Sequence, residues 1–372
     1  MRPPDRLRHP RTTATLTVRR AWPRGAGHVL LDLGGADGSR CAGQWFADPD
    51  RRASVAAATP GAVDLPDDGV VLQPGGADRR LPVLAELVRR PGSRLLVHRP
   101  ERRAVVRLRW DGEVAYAKVV RPGRSADLAE RLGTLGGGPF AVPRVLDHRP
   151  DDGVVVLSEL PGPTLHEAGA EPGRDVTAAW RSAGEALRHL QDGAGGPVPG
   201  ARHDAADEVT VSARWATAAA DFGLLPAAAV ADALDGTSPL VSSPPGPEGV
   251  LHRDLHDKQL VLSPDGLGLL DLDTLAVGER ALDVANLLVH LDLRVAQGLL
   301  TARRSALARA AFLDGAALDA RTSRRVPAYA WAARVRLAGV YAFRPRWRRL
   351  AAELLESAMP RADDPRRMRV MM

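Results

Sequence analysis

His252-Arg253-Asp254-Leu255-His256-Asp257-Lys258-Gln259 is the stretch on which the reading of this chain turns. It places a carboxylate, Asp254, five residues before an amide, Gln259. A hydroxyl or amine that attacks phosphorus must be oriented and must lose its proton as it does so. A carboxylate at the point of attack accepts that hydrogen. An oxygen ligand five residues further on helps to hold a cation that bridges phosphates. Taken alone, the octapeptide could equally be an ordinary turn, so its weight depends on what surrounds it.

Downstream, Leu269-Leu270-Asp271-Leu272-Asp273 is an apolar strand that ends in carboxylates, with Asp271 17 residues after Asp254. A carboxylate there sits beside the metal, and Asp273, two residues on, can point the same way along a strand. Upstream, Ala115-Tyr116-Ala117-Lys118 reads as a strand ending in a lysine. Of the 51 Lys and Arg residues only two are lysines, Lys118 and Lys258. In such a background a lysine marks a place for a compact point charge where the wide fork of Arg will not do. Glu130 lies 12 residues beyond Lys118, on a helix expected from Ala126 to about Leu135 with Ser125 as its N-cap, and is the candidate partner of the lysine. Leu157-Ser158-Glu159-Leu160-Pro161-Gly162 falls where strand patterns give way to helical ones, so Glu159 and Leu160 are placed to meet an adenine through their backbone. Each feature has an ordinary alternative: a strand end, a surface lysine, a solvated glutamate. Their order and spacing argue otherwise. Lysine strand, glutamate helix, hinge, H-R-D-L loop and metal aspartate occur once each, in the sequence that a kinase requires.

On these motifs the chain resembles the aminoglycoside phosphotransferase family, together with choline-kinase-like and maltokinase-like enzymes. Their catalytic loop usually reads like H-G-D-L-H-x-x-N. His256 is similar to those enzymes, Gln259 in place of Asn resembles the maltokinase-like branch, and Arg253 resembles the protein-kinase form. Asp283-Val284-Ala285 is similar to the family's D-L-A segment. The resemblance spans roughly residues 75 to 360. It implies an α+β, bilobal protein-kinase-like fold with a small β-rich lobe and a larger helical lobe, ATP as phosphate donor and Mg²⁺ as metal. It also implies Asp254 as catalytic base, Gln259 and Asp271 as metal ligands, and Lys118, Glu130, Glu159 and Leu160 at the nucleotide. One departure stands out. The turn His98-Arg99-Pro100-Glu101-Arg102-Arg103 has no glycine where a glycine-rich loop would let backbone N–H groups approach phosphates. Either Arg99, Arg102 or Arg103 supplies charge from side chains, or this is a plain basic turn.

The organisation expected from patterning is a disordered tail over 1–11, a β-rich extension over 12–75 packed on the next domain, a kinase-like N-lobe over 76–160, a helical C-lobe over 161–360 and a tail over 361–372. Aromatics are 4% of the 372 residues, so Leu, Val and Ala must fill the core. The single cysteine, Cys41, excludes an intrachain disulfide framework and a Cys-based zinc site, reads as a small buried residue, and fits a reducing compartment. No signal peptide and no span of about 20 apolar residues is apparent, so a cytoplasmic protein is expected. The formal charge of +6 invites a nucleic-acid reading, but 51 basic and 45 acidic residues are interspersed, which describes a mixed solvated surface.

The expected function is therefore transfer of a phosphate from ATP to a hydroxyl, or an amine, of a small molecule. The alternative is a catalytically weak kinase-like protein that binds nucleotide or a partner. A protein kinase is disfavoured because 12 residues separate Asp271 from Asp283, too few for an activation loop. Oligomeric state and acceptor are left open. Asp204, Asp207, Glu208 and Asp292 read first as a solvated face, and second as the lining of a cationic site.

Overall fold

The structure, a computed structural model, describes residues 2–9, 15–134, 138, 140–171, 173–193, 201–264 and 266–357. Leu135 at the end of the expected helix and the tail 361–372 lie outside the described residues.

The chain begins with a six-stranded antiparallel sheet: β1 (Arg6–Arg8), β2 (Thr15–Pro23), β3 (His28–Gly35), β4 (Arg40–Phe46), β5 (Val63–Leu65) and β6 (Val70–Gln73), in the order β1-β2-β3-β4-β6-β5. Along β2 the alternation that buries Leu16 and Val18 and exposes Thr15 and Thr17 is that of a half-buried strand. Two expectations fail here. Residues 6–8, read as part of a disordered tail, form a strand paired with β2. Pro49–Ala57, read as strand-like, is a helix, α1, whose N-cap Asp48 accepts the N–H groups of Asp50 and Arg51. The local cap, with Pro at the first turn, outweighed the surrounding strand pattern.

After α2 (Leu84–Arg89) comes a five-stranded antiparallel sheet, β7 (Arg94–Arg99), β8 (Arg103–Trp110), β9 (Glu113–Val120), β10 (Val145–Arg149) and β11 (Val154–Ser158), ordered β10-β11-β9-β8-β7. Asp111 and Gly112 close the β8–β9 hairpin with φ of 49° and 86°, as a primed turn demands. On β9, Ala115, Ala117 and Val119 face a small core, which leaves Tyr116, Lys118 and Val120 on the opposite face. β11 is a continuous apolar run because both its faces are covered: Val154 and Val156 on that small core, Val155 and Leu157 on the next one. α3 (Ala126–Thr134) lies between β9 and β10 in the chain.

The chain then crosses at Ser158–Leu160 into a helical lobe. Gly162 is required there: its φ is 125°, and a Cβ would stand 2.0 Å from the carbonyl oxygen of Leu262. The lobe contains α4 (Leu165–Ala170), α5 (Thr177–Gln191), α6 (Ala205–Asp221), α7 (Ala227–Asp235), α8 (Ser238–Ser242), α9 (Ala281–Ala296), α10 (Ala302–Ala316), α11 (Ala320–Ala342) and α12 (Arg348–Ser357). Between α8 and α9 lie two antiparallel pairs, β12 (Glu248–Leu251) with β15 (Ala276–Glu279), and β13 (Leu260–Ser263) with β14 (Gly266–Leu269). β12 runs directly into His252, and β14 ends just before Asp271, so these short ladders position the two carboxylate-bearing segments.

The largest core has an unexpected composition. It joins Leu16, Val18, Leu31, Trp45 and Leu72 of the first sheet to Phe222, Tyr329, Leu337 and Leu355 of the helical lobe. Trp45 meets the edge of Phe222 with ring centroids 6.1 Å apart, and Phe222 in turn meets Phe343 at 5.7 Å. Such pairs contribute about 0.5–1.5 kcal/mol beyond the area they bury. The extension thus shares its core with the far lobe. Among the described residues, no helix is long and apolar enough to cross a membrane.

Candidate active site

The H-R-D-L loop is held by buried groups on three sides. Asp283, at the start of α9, accepts the N–H of His252 and of Arg253, each at 2.7 Å. Burial pushes this carboxyl up, against the two N–H donors and the neighbouring His252 ring. His252 is fully buried and donates from Nε2 to the carbonyl of Leu270 at 2.8 Å. Its Nδ1 is then the acceptor that faces the N–H of Asp254 at 3.4 Å. Asn286 donates to the carbonyl of Arg253 at 2.9 Å. Below the loop, Arg294 donates to both carboxylate oxygens of buried Asp257 at 2.8 and 2.7 Å, and the His166 ring lies 2.7 Å away. Burial would raise Asp257, but these partners outweigh it and hold it well below the ordinary carboxylate range. The result is that Asp254 stands on a rigid platform with its side chain 49% exposed and Arg336 Nη1 at 3.8 Å.

Lys118 reaches from β9 to the end of β14. Its ammonium donates to Asp271 Oδ1 at 3.2 Å and to Asp273 Oδ1. The two carboxylates respond oppositely. Burial alone would raise Asp271, but Lys118 and Arg103 overcome it and hold it well below the usual range. Burial raises Asp273, with Lys118 opposing and the Asp271 charge adding to the rise. Two carboxylates that share one cation divide in this way because the second charge is costly. Asp271 itself has φ of 58°, a left-handed backbone that turns its side chain from the strand into the cleft.

Lys118, Gln259, Asp271 and Asp273 line a cleft of about 310 Å³ between the lobes. Its other walls are mostly apolar, among them Ala104, Leu128, Leu157 and Leu160, with Arg103, Tyr116 and Ser158 as the polar exceptions. Glu159 is turned to Tyr116, whose hydroxyl donates to its Oε1 at 3.0 Å. Gln259 also stands 3.5 Å, amide nitrogen to Nε2, from His256. Lys258, the other lysine, is exposed.

Glu130 requires correction. It is exposed on α3 and does not pair with Lys118, whose charge is met by Asp271 and Asp273. The link from α3 to the site comes from the next residue, Arg131, which donates to the backbone carbonyl of Asp273 at 3.3 Å. The acidic residues once open to a cationic site are also used elsewhere. Asp204 and Asp207 form the capping box of α6, Glu208 is buried beside His203 and Arg336, and Asp292 pairs with Arg309 and Arg334.

The glycine-free turn between β7 and β8 is clamped by the segment that precedes α2. Asp78 accepts the N–H of Glu101 at 2.7 Å and lies 2.9 Å from His98 Nε2, and both side chains of that pair are buried. Glu101, with φ of 60°, is held further by Arg79 at 2.7 Å. Sequence reasoning did not find this clamp: Asp78 lies 20 residues before His98, in a segment without a motif.

The model of the phosphotransferase enzyme family matches residues 92–327, and the chain belongs to that family. No curated protein matches it. Among solved structures it is similar to amicoumacin kinase hAmiN in complex with AMP-PNP, Ca²⁺ and Ami, at 13% identity over 73% of this chain and 91% of that one, with a TM-score of 0.55. It is also similar to a choline/ethanolamine kinase family protein from Mesorhizobium loti, at 17% identity over 78% and 94%, with a TM-score of 0.51. A third is a thermostable mutant of aminoglycoside phosphotransferase APH(4)-Ia in ternary complex with ADP and hygromycin B, at 13% identity over 72% and 93%, with a TM-score of 0.52. At these identities the likeness is one of fold: a bilobal, protein-kinase-like phosphotransferase.

Proposed function

We propose that this chain transfers the γ-phosphate of ATP to a hydroxyl, or an amine, of a small molecule, with Asp254 as the base. The observation that carries the reading is the convergence of Lys118, Asp271 and Gln259 in one cleft, beside a rigidly held Asp254. Leu160 and the backbone of Glu159 take the adenine end of the nucleotide. Lys118 exchanges one of its two carboxylates for the α- and β-phosphates. Asp271 and Gln259 suit Mg²⁺, because the cation prefers oxygen ligands and the nucleotide completes the set. When bound, that ion neutralises charge on the transferring phosphate. Asp254 accepts the proton of the acceptor hydroxyl as its oxygen bonds to the γ-phosphorus and the bond to the β-phosphate oxygen breaks.

Asp254→Asn is the test. Turnover on an accepted substrate should fall by about 10²–10⁴-fold, the usual worth of a general base, while AMP-PNP still binds. Wild-type turnover in that variant would refute the assignment. AMP-PNP binding by the unaltered protein with no turnover on any small hydroxyl or amine compound would favour the alternative of a nucleotide-binding relative without activity.

A further inference from the structure

A second cavity, of about 1060 Å³, lies beside the cleft that holds Lys118 and Asp271. Arg103 and Val120 line both spaces, so they adjoin. Arg103 also stands 3.6 Å from the Asp273 carboxylate. Three parts of the fold wall the larger cavity: the end of β2 and the start of β3, the β7–β8 turn with the residues after β9, and the C-terminal half of α6. Its first wall lies outside residues 92–327, the part that matches the family.

Its charge is one-sided. Seven arginines line it against one acid, Asp221. Two of the seven have partners within the protein, Arg103 with Asp273 and Arg121 with the carbonyl of Glu101 at 2.8 Å. Arg24, Arg99, Arg102, Arg124 and Arg214 have no carboxylate partner among the described residues. The wall also holds buried donors with nothing to donate to: Nε of Arg99, Nε1 of Trp22 and Nε of the adjacent Arg20. Arg99 and Arg20 stack on the Trp22 ring, with guanidinium carbons 4.6 and 5.1 Å from its centre. Burial, and then the charge of neighbouring arginines, lowers Arg99 to about 9 and Arg20 to about 10, which is the response of cations that lack anions. The Asp254 carboxylate is near enough to oppose the shift at both. Buried donors and unpaired charges are costly unless something fills them. Planar guanidinium groups suit the paired oxygens of phosphates and carboxylates. Trp215 and Phe222 add an apolar wall for a carbon skeleton.

We propose that this cavity is the acceptor site and that the acceptor is an anionic hydroxyl compound, a small polyol or sugar bearing a phosphate or carboxylate. The inference rests on the phosphotransferase reading for the word acceptor; the anion site itself does not depend on it. A polycationic acceptor is opposed by the seven arginines.

The experiment uses the full chain saturated with AMP-PNP, so that the nucleotide cleft is blocked. Binding of glucose 6-phosphate, gluconate, glucose and kanamycin is followed by tryptophan fluorescence, since Trp22 and Trp215 line the cavity. Saturable binding is expected for glucose 6-phosphate or gluconate, and the stronger of the two tells phosphate from carboxylate. Arg24→Glu and Arg214→Glu should each weaken it by at least about tenfold, as loss of a close charge pair does. Arg349→Glu, a reversal at a side chain 94% exposed on α12, should leave it unchanged and so controls for net charge. The proposal is overturned if neither anion binds, if kanamycin or glucose binds more tightly, if the two cavity variants bind like the unaltered protein, or if the anions bind only when AMP-PNP is absent. Failure to bind AMP-PNP would instead strike the phosphotransferase reading, and the anion titration would still decide the site.

Discussion

The carboxylate of Asp283 accepts the N–H of Arg253 at 2.7 Å while Arg253 holds φ of 72°, a left-handed conformation that a side chain ordinarily avoids. The bond and the strain belong together. The turn that presents Asp254 takes this backbone, and Asp283 stabilises it from below. Asp283→Ala should leave two buried N–H groups unpaired and cost about 3 kcal/mol, at 1–3 for each group. Urea unfolding measures the loss. Arg253→Gly should be nearly neutral, because relief of about 1–2 kcal/mol of strain is offset by the extra freedom of glycine in the unfolded chain. An Asp283→Ala protein as stable as the unaltered one would show that the loop holds itself.

Lys118 is shared by two carboxylates, and the head group must fit between them. Lys118→Ala should weaken AMP-PNP binding by at least about thirtyfold, the scale of a broken buried charge pair. Lys118→Arg should lose most of the same affinity, since the planar fork is wider than the ammonium. Glu130→Ala should change neither turnover nor stability by more than about 0.5 kcal/mol, as for other exposed positions. Titration with AMP-PNP separates the three; an Arg variant that binds normally would remove the reason for lysine here.

Acid should destabilise the loop. Burial lowers the His256 ring to about 4, against the pull of Asp254 and Asp257. In the unfolded chain it titrates near its ordinary value, about 6.5. Between those values the unfolded state binds more protons, so stability falls as pH drops from about 6.5 towards 4. His290, 4.7 Å away by ring centroids and lowered by burial, adds in the same sense. Asp257, held low in the fold, loses its contribution at still lower pH. Unfolding midpoints at pH 7 and pH 5 should therefore differ, and His256→Gln should narrow the gap. An unchanged gap would place the acid sensitivity elsewhere.

The clamp on the β7–β8 turn predicts a separate phenotype. Asp78→Ala removes the acceptor of the Glu101 N–H and the partner of His98, at a cost of about 2 kcal/mol or more. Nucleotide affinity should fall with it, because Arg103 in the same turn lines the cleft. A stability loss with AMP-PNP affinity intact would mean that the turn does not position the phosphates.

The segments that meet at the cleft were legible because each writes itself in a few consecutive residues. The H-R-D-L octapeptide, the lysine strand and the apolar strand ending at Asp271 all stand in one cleft or beside it. Glu130 misled because helix spacing fixes a residue's distance along the chain but not which face of α3 meets the sheet; Arg131 took the contact. The roles of Asp78, Arg20 and Trp22 were not legible at all. They act on groups brought close by the packing of the first sheet, and that packing depends on apolar residues with no local signature. The single cysteine did behave as read: Cys41 is buried, and burial pushes its thiol up to about 11.

The first sheet is attached at both ends of the molecule. Its apolar face merges with α6, α11 and α12, and the segment that follows it, through Asp78, grips the β7–β8 turn of the other lobe. A kinase whose lobes meet only at a crossing strand can open like a book. Here the first sheet forms a second link, and rotation of one lobe away from the other would break either the Asp78 clamp or the core containing Trp45 and Phe222. Access to the cleft then falls to small local displacements of side chains and of the arginine-bearing turn, so the rate of entry and exit, more than the width of any opening, becomes the quantity that this architecture governs.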